Sequence, residues 1–97
     1  VAIVTGASRG IGRTCAMKFA KEGIKVIANY NKSEENAKSL KEELNKQGIE
    51  IDIFKADVSK IEEVNKMIEF VLKKYGRIDI LVNNARNITN KVIYRIN

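Results

Sequence analysis

The stretch VAIVTGASRGIG, residues 1–12, places three glycines within seven residues directly after a short apolar segment. Glycine loses more backbone freedom on folding than any other residue, so such a cluster needs a structural reason. The usual reasons are a tight turn with positive φ, or a backbone that another molecule approaches closely. No acidic residue lies in the stretch, and an apolar helical pattern follows it. The sequence therefore predicts a strand, a glycine-rich turn and a helix.

The alternation of strand and helix continues along the chain. Apolar, β-prone segments predict strands at Val1–Thr5, Lys25–Tyr30, Ile49–Ala56 and Ile78–Asn83. Amphipathic segments lie between them and end at Gly23, Gly48 and Gly76. This order with short connections indicates parallel strands joined by right-handed crossover helices. We predict an α/β fold, the N-terminal half of a doubly wound parallel sheet of the Rossmann type, with the order βαβαβαβ.

Local signals predict how each helix begins and packs. The first helix, starting near Gly10, places one apolar stripe on Ile11, Cys15, Ala16, Phe19 and Ala20. Ser33 is predicted to cap the second helix, and Ser59 with Glu62 matches a capping box for the third. The fourth strand is predicted to lie at an unpaired edge because a fifth strand is missing, so we expect the isolated chain to be marginally folded, oligomeric or aggregated.

Composition excludes several classes of protein. The 97 residues are 44% hydrophobic and 31% charged, with no apolar run long enough to cross a bilayer and no signal-peptide pattern. The single Cys15 excludes an internal disulfide and favours a reducing, cytoplasmic location. Histidine is absent, which excludes His-based triads and His-containing metal sites. We predict no metal site and no membrane partner.

The formal net charge of +6 is unevenly distributed, because residues 1–32 carry six basic side chains and one acidic side chain. One interpretation of this excess of basic residues is that lysines lie on solvated helix faces. The alternative is that the glycine-rich end of the chain faces an anion. Nucleic acid is not favoured, since no nucleic-acid motif and no interleaved aromatic residues are present.

The glycine-rich turn suits a diphosphate. It follows the first strand and opens the first helix, whose N-terminus offers unpaired N–H groups and partial positive charge. Gly6 would form the turn, Gly10 would let the diphosphate approach, and Gly12 would let the helix pack closely on the strand. Glycines that serve only to pack the helix on the sheet are the alternative.

Three motifs occur in order at predicted strand ends. Residues 5–12 match T-G-x-x-x-G-x-G, Ala56-Asp57-Val58 follows the third strand, and Asn83-Asn84-Ala85 ends the fourth. In these motifs the chain resembles the short-chain dehydrogenase/reductase family, over nearly its whole length. Taken separately, Asp57 could cap a helix and the adjacent asparagines could form a turn. The resemblance implies that Asp57 contacts the adenine ring and that the asparagine motif holds the central sheet and borders the nicotinamide.

The resemblance also implies a set of coenzyme-binding residues. They are Gly6, Ser8, Arg9, Gly10, Ile11, Gly12, Tyr30, Asn31, Lys32, Asp57, Val58, Asn83 and Ala85. Members that prefer NAD carry an acid at the end of the second strand, where this chain has Tyr30. Arg9 and Lys32 could pair with a 2′-phosphate. We therefore expect NADP(H) rather than NAD(H), although Lys32 alone could be a solvated loop lysine.

Residues 88–95, ITNKVIYR, resemble the segment after N-N-A-G in bacterial 3-oxoacyl-[acyl-carrier-protein] reductases of this family. That likeness implies a homotetramer of fatty acid synthesis that reduces a β-keto thioester carried on acyl carrier protein. Family members acting on sugars, steroids or quinones share the same motifs and remain open.

Two departures from the family pattern concern catalysis. The family's Tyr-x-x-x-Lys pair is absent, because Tyr30 is followed four residues later by Glu34 and Tyr75 by Asp79, and Tyr94 lies too near the end of the sequence. We therefore predict no catalytic residue in this chain, and expect an N-terminal NAD(P)-binding half-domain over residues 1–97 without the catalytic C-terminal half. Arg86 replaces the family glycine, and Asn87 is an extra residue. The alternative function is a truncated, catalytically dead NAD(P)-binding or interaction fragment.

Overall fold

The computed structural model describes residues 1–7 and 10–83, together with the backbone of residues 92–95. The elements in chain order are β1 (Ala2–Val4), α1 (Gly10–Lys21), β2 (Val26–Tyr30), α2 (Glu34–Asn45), β3 (Asp52–Lys55), α3 (Ile61–Tyr75), β4 (Ile80–Asn83) and β5 (Val92–Arg95). The first seven of these confirm the predicted alternation of strands and helices. The predicted order βαβαβαβ is therefore correct as far as Asn83.

The strands form one sheet in the order β3-β2-β1-β4-β5. β1 lies at its centre, with Ile3 opposite Ile27 of β2 on one side and Leu81 of β4 on the other. The pairs β1–β2, β1–β4 and β2–β3 are all parallel. Four parallel strands with helical crossovers form half of a doubly wound Rossmann sheet, as predicted.

Right-handed crossovers explain which face each helix covers. The chain moves outward from β1 to β2 to β3, and then returns past β1 to β4. Because the direction of travel reverses after β3, a right-handed connection places α3 on the opposite face from α1 and α2. The two buried clusters agree with this arrangement. One joins Val4 and Ala28 to Leu40 of α2, and the other joins Ile3 and Ile27 to Met67 of α3.

Helix α1 packs through its smallest residues. Gly12, Ala16 and Ala20 are buried, at the helical spacing of four residues, so the helix axis can approach the sheet closely. This confirms the packing predicted for Gly12. The predicted stripe is wrong at Ile11, whose side chain is 55% exposed. Ile11 lies in the first turn, one position from buried Gly12, and faces away from the sheet.

The two predicted helix caps are not formed. Ser33 occupies the N-cap position of α2, yet no capping hydrogen bond from its side chain is found among the described residues. At α3 the N-cap is Lys60, and the Ser59 hydroxyl instead donates to Asp57 Oδ1 at 2.6 Å. In a capping box the serine oxygen accepts from a backbone N–H of the first helical turn. Here α3 begins one residue later than that motif requires, and Asp57 Oδ1 accepts from both the amide and the hydroxyl of Ser59. The capping box predicted for Ser59 and Glu62 is therefore wrong.

The prediction that β4 lies at an unpaired edge is also wrong. The backbone of Val92–Arg95 runs antiparallel to β4, with Val92 opposite Asn83 and Arg95 opposite Ile80. The predicted strand order ended at residue 83, so the sequence analysis did not consider that the chain could return beside β4. Because that edge is covered, it no longer supports the expected association of the isolated chain.

A polar network fastens the end of α3 to the start of β3. Tyr75 Oη donates to Asp52 Oδ2 at 2.5 Å, and Lys74 Nζ lies 2.7 Å from Asp52 Oδ1. Burial of Asp52 opposes its ionisation. The hydrogen bonds from Lys74 and Tyr75 outweigh that effect and hold the pKa of Asp52 below its usual value.

We expect Asp52→Asn to lower the melting temperature at pH 7 by about 5 °C, for a loss near 1 kcal/mol. The pKa of Asp52 is lower in the folded state, so its stabilisation is present above the unfolded-state pKa, about 3.9. That stabilisation is lost as the pH falls through the folded-state pKa. Thermal unfolding followed by circular dichroism should show that the difference in melting temperature between Asp52→Asn and the unaltered chain becomes smaller in acid. Exposed Glu50 supplies the control Glu50→Gln. A pH-independent difference would contradict the assignment.

Candidate functional site

The carboxyl ends of four parallel strands meet at one edge of the sheet. The chain leaves β1 toward β2 on one side and reaches β4 on the other, so the strand order reverses at β1. Ligands of open α/β sheets bind outside the carboxyl ends of the strands, at such a reversal. The segments after β1, β2, β3 and β4 therefore define the candidate site.

The turn after β1 has the backbone that its glycines predict. Gly6 has φ of 61° and Gly10 has φ of 65°, both in the left-handed region that glycine adopts without strain. A Cβ added at Gly10 would meet no atom of the described residues within 4 Å, so the space beside it is open. The first turn of α1, described from Gly10 onward, carries no acidic residue, whereas the first turns of α2 and α3 each carry two. This helix start suits an external anion.

Thr5 joins the ends of the two central strands. Its amide donates to the Val82 carbonyl at 2.9 Å, and its Oγ1 lies 3.2 Å from Asn83 Oδ1. Thr5 is only 4% exposed, so this contact is internal to the sheet edge. The structure thus brings the glycine motif and the first asparagine of the Asn83-Asn84-Ala85 motif together.

Asn29 of β2 is a site residue that the sequence analysis missed. Its side-chain Nδ2 donates to the Ala56 carbonyl at 3.1 Å and to the Phe54 carbonyl at 3.3 Å. Its Oδ1 accepts from the Gly6 amide at 3.4 Å. The signal in the sequence was an amide side chain inside the otherwise apolar strand VIANY. Such a residue needs hydrogen-bond partners, and the strand ends on either side supply them.

The end of β2 carries Tyr30, as predicted, but its ring is buried rather than presented to the edge. The exposed fraction is 7%, and the hydroxyl donates to Glu34 Oε1 at 3.4 Å. Burial, followed by the nearby Glu34 carboxylate, raises the pKa of Tyr30. Asn31 and Lys32 are exposed. An acidic group therefore lies near this strand end, on the following helix rather than on the strand.

An open depression of about 440 Å³ follows β2. Its lining consists of Lys32, Ser33, Glu34, Glu35 and Asn36. The Glu34 carboxylate in this depression lies 3.9 Å from Lys38 Nζ, one helical turn later. The positive charge of Lys38 partly offsets the negative charge of Glu34.

Asp57 follows β3 and has a local structural role. Its Oδ1 accepts from the Ser59 amide at 3.0 Å and from the Ser59 hydroxyl. These two bonds, the hydroxyl's first, hold the pKa of Asp57 below its usual value, and the charge of Lys32 adds to the effect. The Asp57 amide donates to Glu63 Oε1 at 2.9 Å. The Asp57 side chain and amide are therefore held by Ser59 and by Glu63 of α3.

An apolar cleft of about 170 Å³ lies between α3 and the sheet. Thr5, Val58 and Asn83 line it at the carboxyl edge, and Ile3, Met67 and Leu81 are among the residues deeper in. Val58 and Asn83, both predicted site residues, thus share one cleft. The predicted site residues Ser8, Arg9 and Ala85 lie outside the described residues, as do Arg86 and Asn87.

The described tyrosines do not resemble a catalytic proton donor. Burial and then Asp52 raise the pKa of Tyr75, as burial and Glu34 raise that of Tyr30. A general acid works best with a pKa near the working pH, which requires a shift in the opposite direction. Within the described ranges, no group of three His, Cys, Asp or Glu residues could hold a metal ion, and no helix is long and apolar enough to span a membrane.

Comparison with known proteins decides the family. The profile of the short chain dehydrogenase family matches residues 1–97. The chain belongs to the short-chain dehydrogenase family. This short-chain dehydrogenase chain is 42% identical over 95 residues to the 3-oxoacyl-[acyl-carrier-protein] reductase FabG of Staphylococcus epidermidis. The match covers 98% of the chain and 39% of that reductase, so the chain spans about two-fifths of its relative's length.

Solved structures of short-chain dehydrogenases share the fold. The F189W actinorhodin polyketide ketoreductase with NADPH is 38% identical, with a TM-score of 0.79 over 87% of this chain and 32% of that protein. A metagenomic short-chain oxidoreductase in complex with NADP is 36% identical, with a TM-score of 0.81 over 87% of this chain and 38% of that one. The family and fold predicted from the three motifs are confirmed.

Proposed function

We propose that the chain is the coenzyme-binding part of an NADP(H)-dependent short-chain oxidoreductase. The observation that carries the proposal is the turn from Gly6 to Gly10 at the carboxyl edge. It has positive φ at both glycines, open space at Gly10, and a helix start without acidic residues. These features fit a diphosphate. Its negative charge suits the unpaired N–H groups at the start of α1, and its size suits the space left by the missing side chain of Gly10.

Most of the predicted residues have a part in the proposal. The backbone of Gly10, Ile11 and Gly12 would hold the diphosphate through the N–H groups of the first turn of α1. Asp57 and Val58 would receive the adenine, with Asp57 oriented by its bonds to Ser59. Asn83, Ala85 and the segment after them would border the nicotinamide. We further propose that residues 1–97 form an NAD(P)-binding half-domain.

The preference for NADP(H) rests on the depression after β2. Lys32 is exposed at its rim, and the Ser33 side chain, not engaged in a capping bond within the described region, lies beside it. The Glu34 carboxylate is oriented toward Tyr30 and Lys38. A 2′-phosphate would therefore meet Lys32 and Ser33, with Arg9 of the glycine-rich turn as a second cation. Two related proteins whose structures contain NADP or NADPH support this reading.

The proposed substrate is a β-keto thioester carried on acyl carrier protein, as in fatty acid biosynthesis. The likeness to the staphylococcal reductase supports it. Bound NADPH supplies a hydride to the carbonyl carbon. The residues of this chain contribute coenzyme binding and orientation, and the proton donor would come from the rest of a longer enzyme. We propose that this enzyme is a cytoplasmic homotetramer.

A catalytically dead coenzyme-binding or interaction fragment is the second candidate. The two candidates share the coenzyme site and differ in whether a proton donor is supplied.

Coenzyme preference tests the proposal. We expect Arg9→Ala and Lys32→Ala each to weaken NADPH binding about tenfold or more, because each removes a charge-assisted bond to the 2′-phosphate. Binding of NADH, which lacks that phosphate, should change less than about twofold. Fluorescence titration measures both affinities.

Lys66→Ala provides a matched control on the exposed face of α3 and should leave both affinities unchanged. Equal affinity of the unaltered chain for NADPH and NADH would contradict the proposed preference. No measurable binding of either coenzyme would contradict the coenzyme site itself.

A further inference from the structure

Asn29 contacts both neighbouring strand ends of the candidate site. It lies on β2, between β1 and β3 in the sheet, and is only 2% exposed. A buried amide costs free energy unless its donors and acceptor are satisfied. Its partners are therefore what stabilise it at this position.

The two ends of the Asn29 amide serve different strands. The Nδ2 group donates to the carbonyls of Phe54 and Ala56, where β3 ends. The Oδ1 atom faces the Gly6 amide at 3.4 Å, and the Asn29 backbone carbonyl accepts from the Ala7 amide at 2.9 Å. One residue thus bonds the glycine-rich turn on one side and the segment leading to Asp57 on the other.

We propose that Asn29 is a positioning residue that sets the separation between the glycine-rich turn and the β3–α3 segment. This inference rests on the proposed function, in which the turn holds the diphosphate and the β3–α3 segment holds the adenine. A single coenzyme must reach both parts. Their relative placement therefore determines how well the two sets of contacts can form together. Asn29 would not touch the coenzyme, and would act through the two segments that do.

The chemistry explains why an amide is required. Aspartate has the same shape but lacks the N–H donors, so it would place a buried carboxylate against the Phe54 and Ala56 carbonyls. Alanine would remove both the Oδ1 acceptor and the Nδ2 donor. The Gly6 amide and the Phe54 and Ala56 carbonyls would then lose their bonds to this side chain. Neither replacement can hold both strand ends.

The test compares Asn29→Ala and Asn29→Asp with Asn65→Ala, which removes an exposed amide from the middle of α3. NADPH titrations are made at a temperature where melting curves show every variant folded. We expect both Asn29 variants to bind NADPH at least tenfold more weakly, and Asn65→Ala to bind as the unaltered chain does. Amide hydrogen exchange should become faster at Gly6 in Asn29→Ala, and should stay slow there in Asn29→Asp, which retains the acceptor.

A purely structural role predicts a different result, in which Asn29→Ala melts earlier yet binds NADPH with unchanged affinity when folded. That result would overturn the proposal. If the unaltered chain binds no NADPH, the proposed function fails. Unchanged exchange at Gly6 in Asn29→Ala would then refute the positioning role independently, and faster exchange would support it.

If neither Asn29 variant folds, the unaltered chain still provides a test. The side-chain amide protons of Asn29 should exchange with solvent at least tenfold more slowly than those of Asn65. Equal exchange rates would overturn the proposal, because an amide that holds two strand ends must stay bonded.

Discussion

Replacing Gly10 by alanine should weaken NADPH binding about a hundredfold, equivalent to about 2.7 kcal/mol. Gly10 opens α1 with φ of 65°, and a Cβ there would enter the open space where the diphosphate is proposed to lie. The methyl group would displace the diphosphate from the helix N–H groups. Charge-assisted hydrogen bonds contribute about 1.5–3 kcal/mol each, so the loss of one or two suffices. Fluorescence titration of the folded variant measures the effect.

Gly48→Ala is a matched control. Gly48 has φ of 77°, and a Cβ added there also meets none of the described atoms within 4 Å. Both substitutions force an L-residue into the left-handed region, at a cost of about 1–2 kcal/mol in stability. Gly48 follows α2, which ends remote from the carboxyl edge. Comparable melting temperatures with NADPH binding lost only in Gly10→Ala would support the site. Equal NADPH affinity of the two variants would contradict the placement of the diphosphate at the glycine-rich turn.

The 97-residue chain alone should show no NADPH oxidation with a β-keto thioester. Reduction of a ketone requires a proton donor at the oxygen, and general acid catalysis contributes about 10²–10⁴-fold. Tyr30 and Tyr75 have raised pKa values and carboxylate neighbours. No lysine follows either tyrosine at the family spacing. Loss of NADPH absorbance, with and without the thioester, measures turnover.

A version of the chain joined to the downstream half of a staphylococcal relative provides the positive control and should be active. In that protein, replacing Arg86-Asn87 by a single glycine should raise the rate, because the family resemblance implies that the backbone at this position passes beside the nicotinamide ribose, where glycine carries no side chain. Thioester-dependent oxidation by the 97-residue chain would disprove the expectation. An unchanged rate after the glycine replacement would show that the family glycine is dispensable here.

The fold was predictable because local and long-range signals agree. Gly23, Gly48 and Gly76 all have positive φ and end the three helices. The apolar segments that follow these glycines form β2, β3 and β4, each within its predicted bounds. The positive φ values of Gly6 and Gly10 likewise follow from the residue type. These features depend on each residue's own backbone preference or on a short periodic pattern.

The differences from the predictions arose where a side chain has more than one possible partner. Ser59 has the sequence of a cap, but the nearby Asp57 carboxylate takes its hydroxyl. Tyr30 ends β2 as predicted, and its burial and its contact with Glu34 determine where the ring lies. Asn29 was missed because its partners, Gly6 and Ala56, become neighbours only when three strands have paired. Spacing along the chain carries no information about such meetings.

The central position of β1 has a consequence for the order of folding. β1 precedes the other described strands in the chain and pairs with β4, and the Thr5 hydroxyl donates to the Val82 carbonyl across 77 residues of chain. The unit from β1 to β3 can assemble during synthesis, since its pairings are local. The core beneath α3 needs Ile3, Ile27 and Ile78 together, so it closes only after β4 has emerged. Long-range closure of this kind is slow. Substitutions in β4 should therefore slow folding more than equal losses of stability in α2.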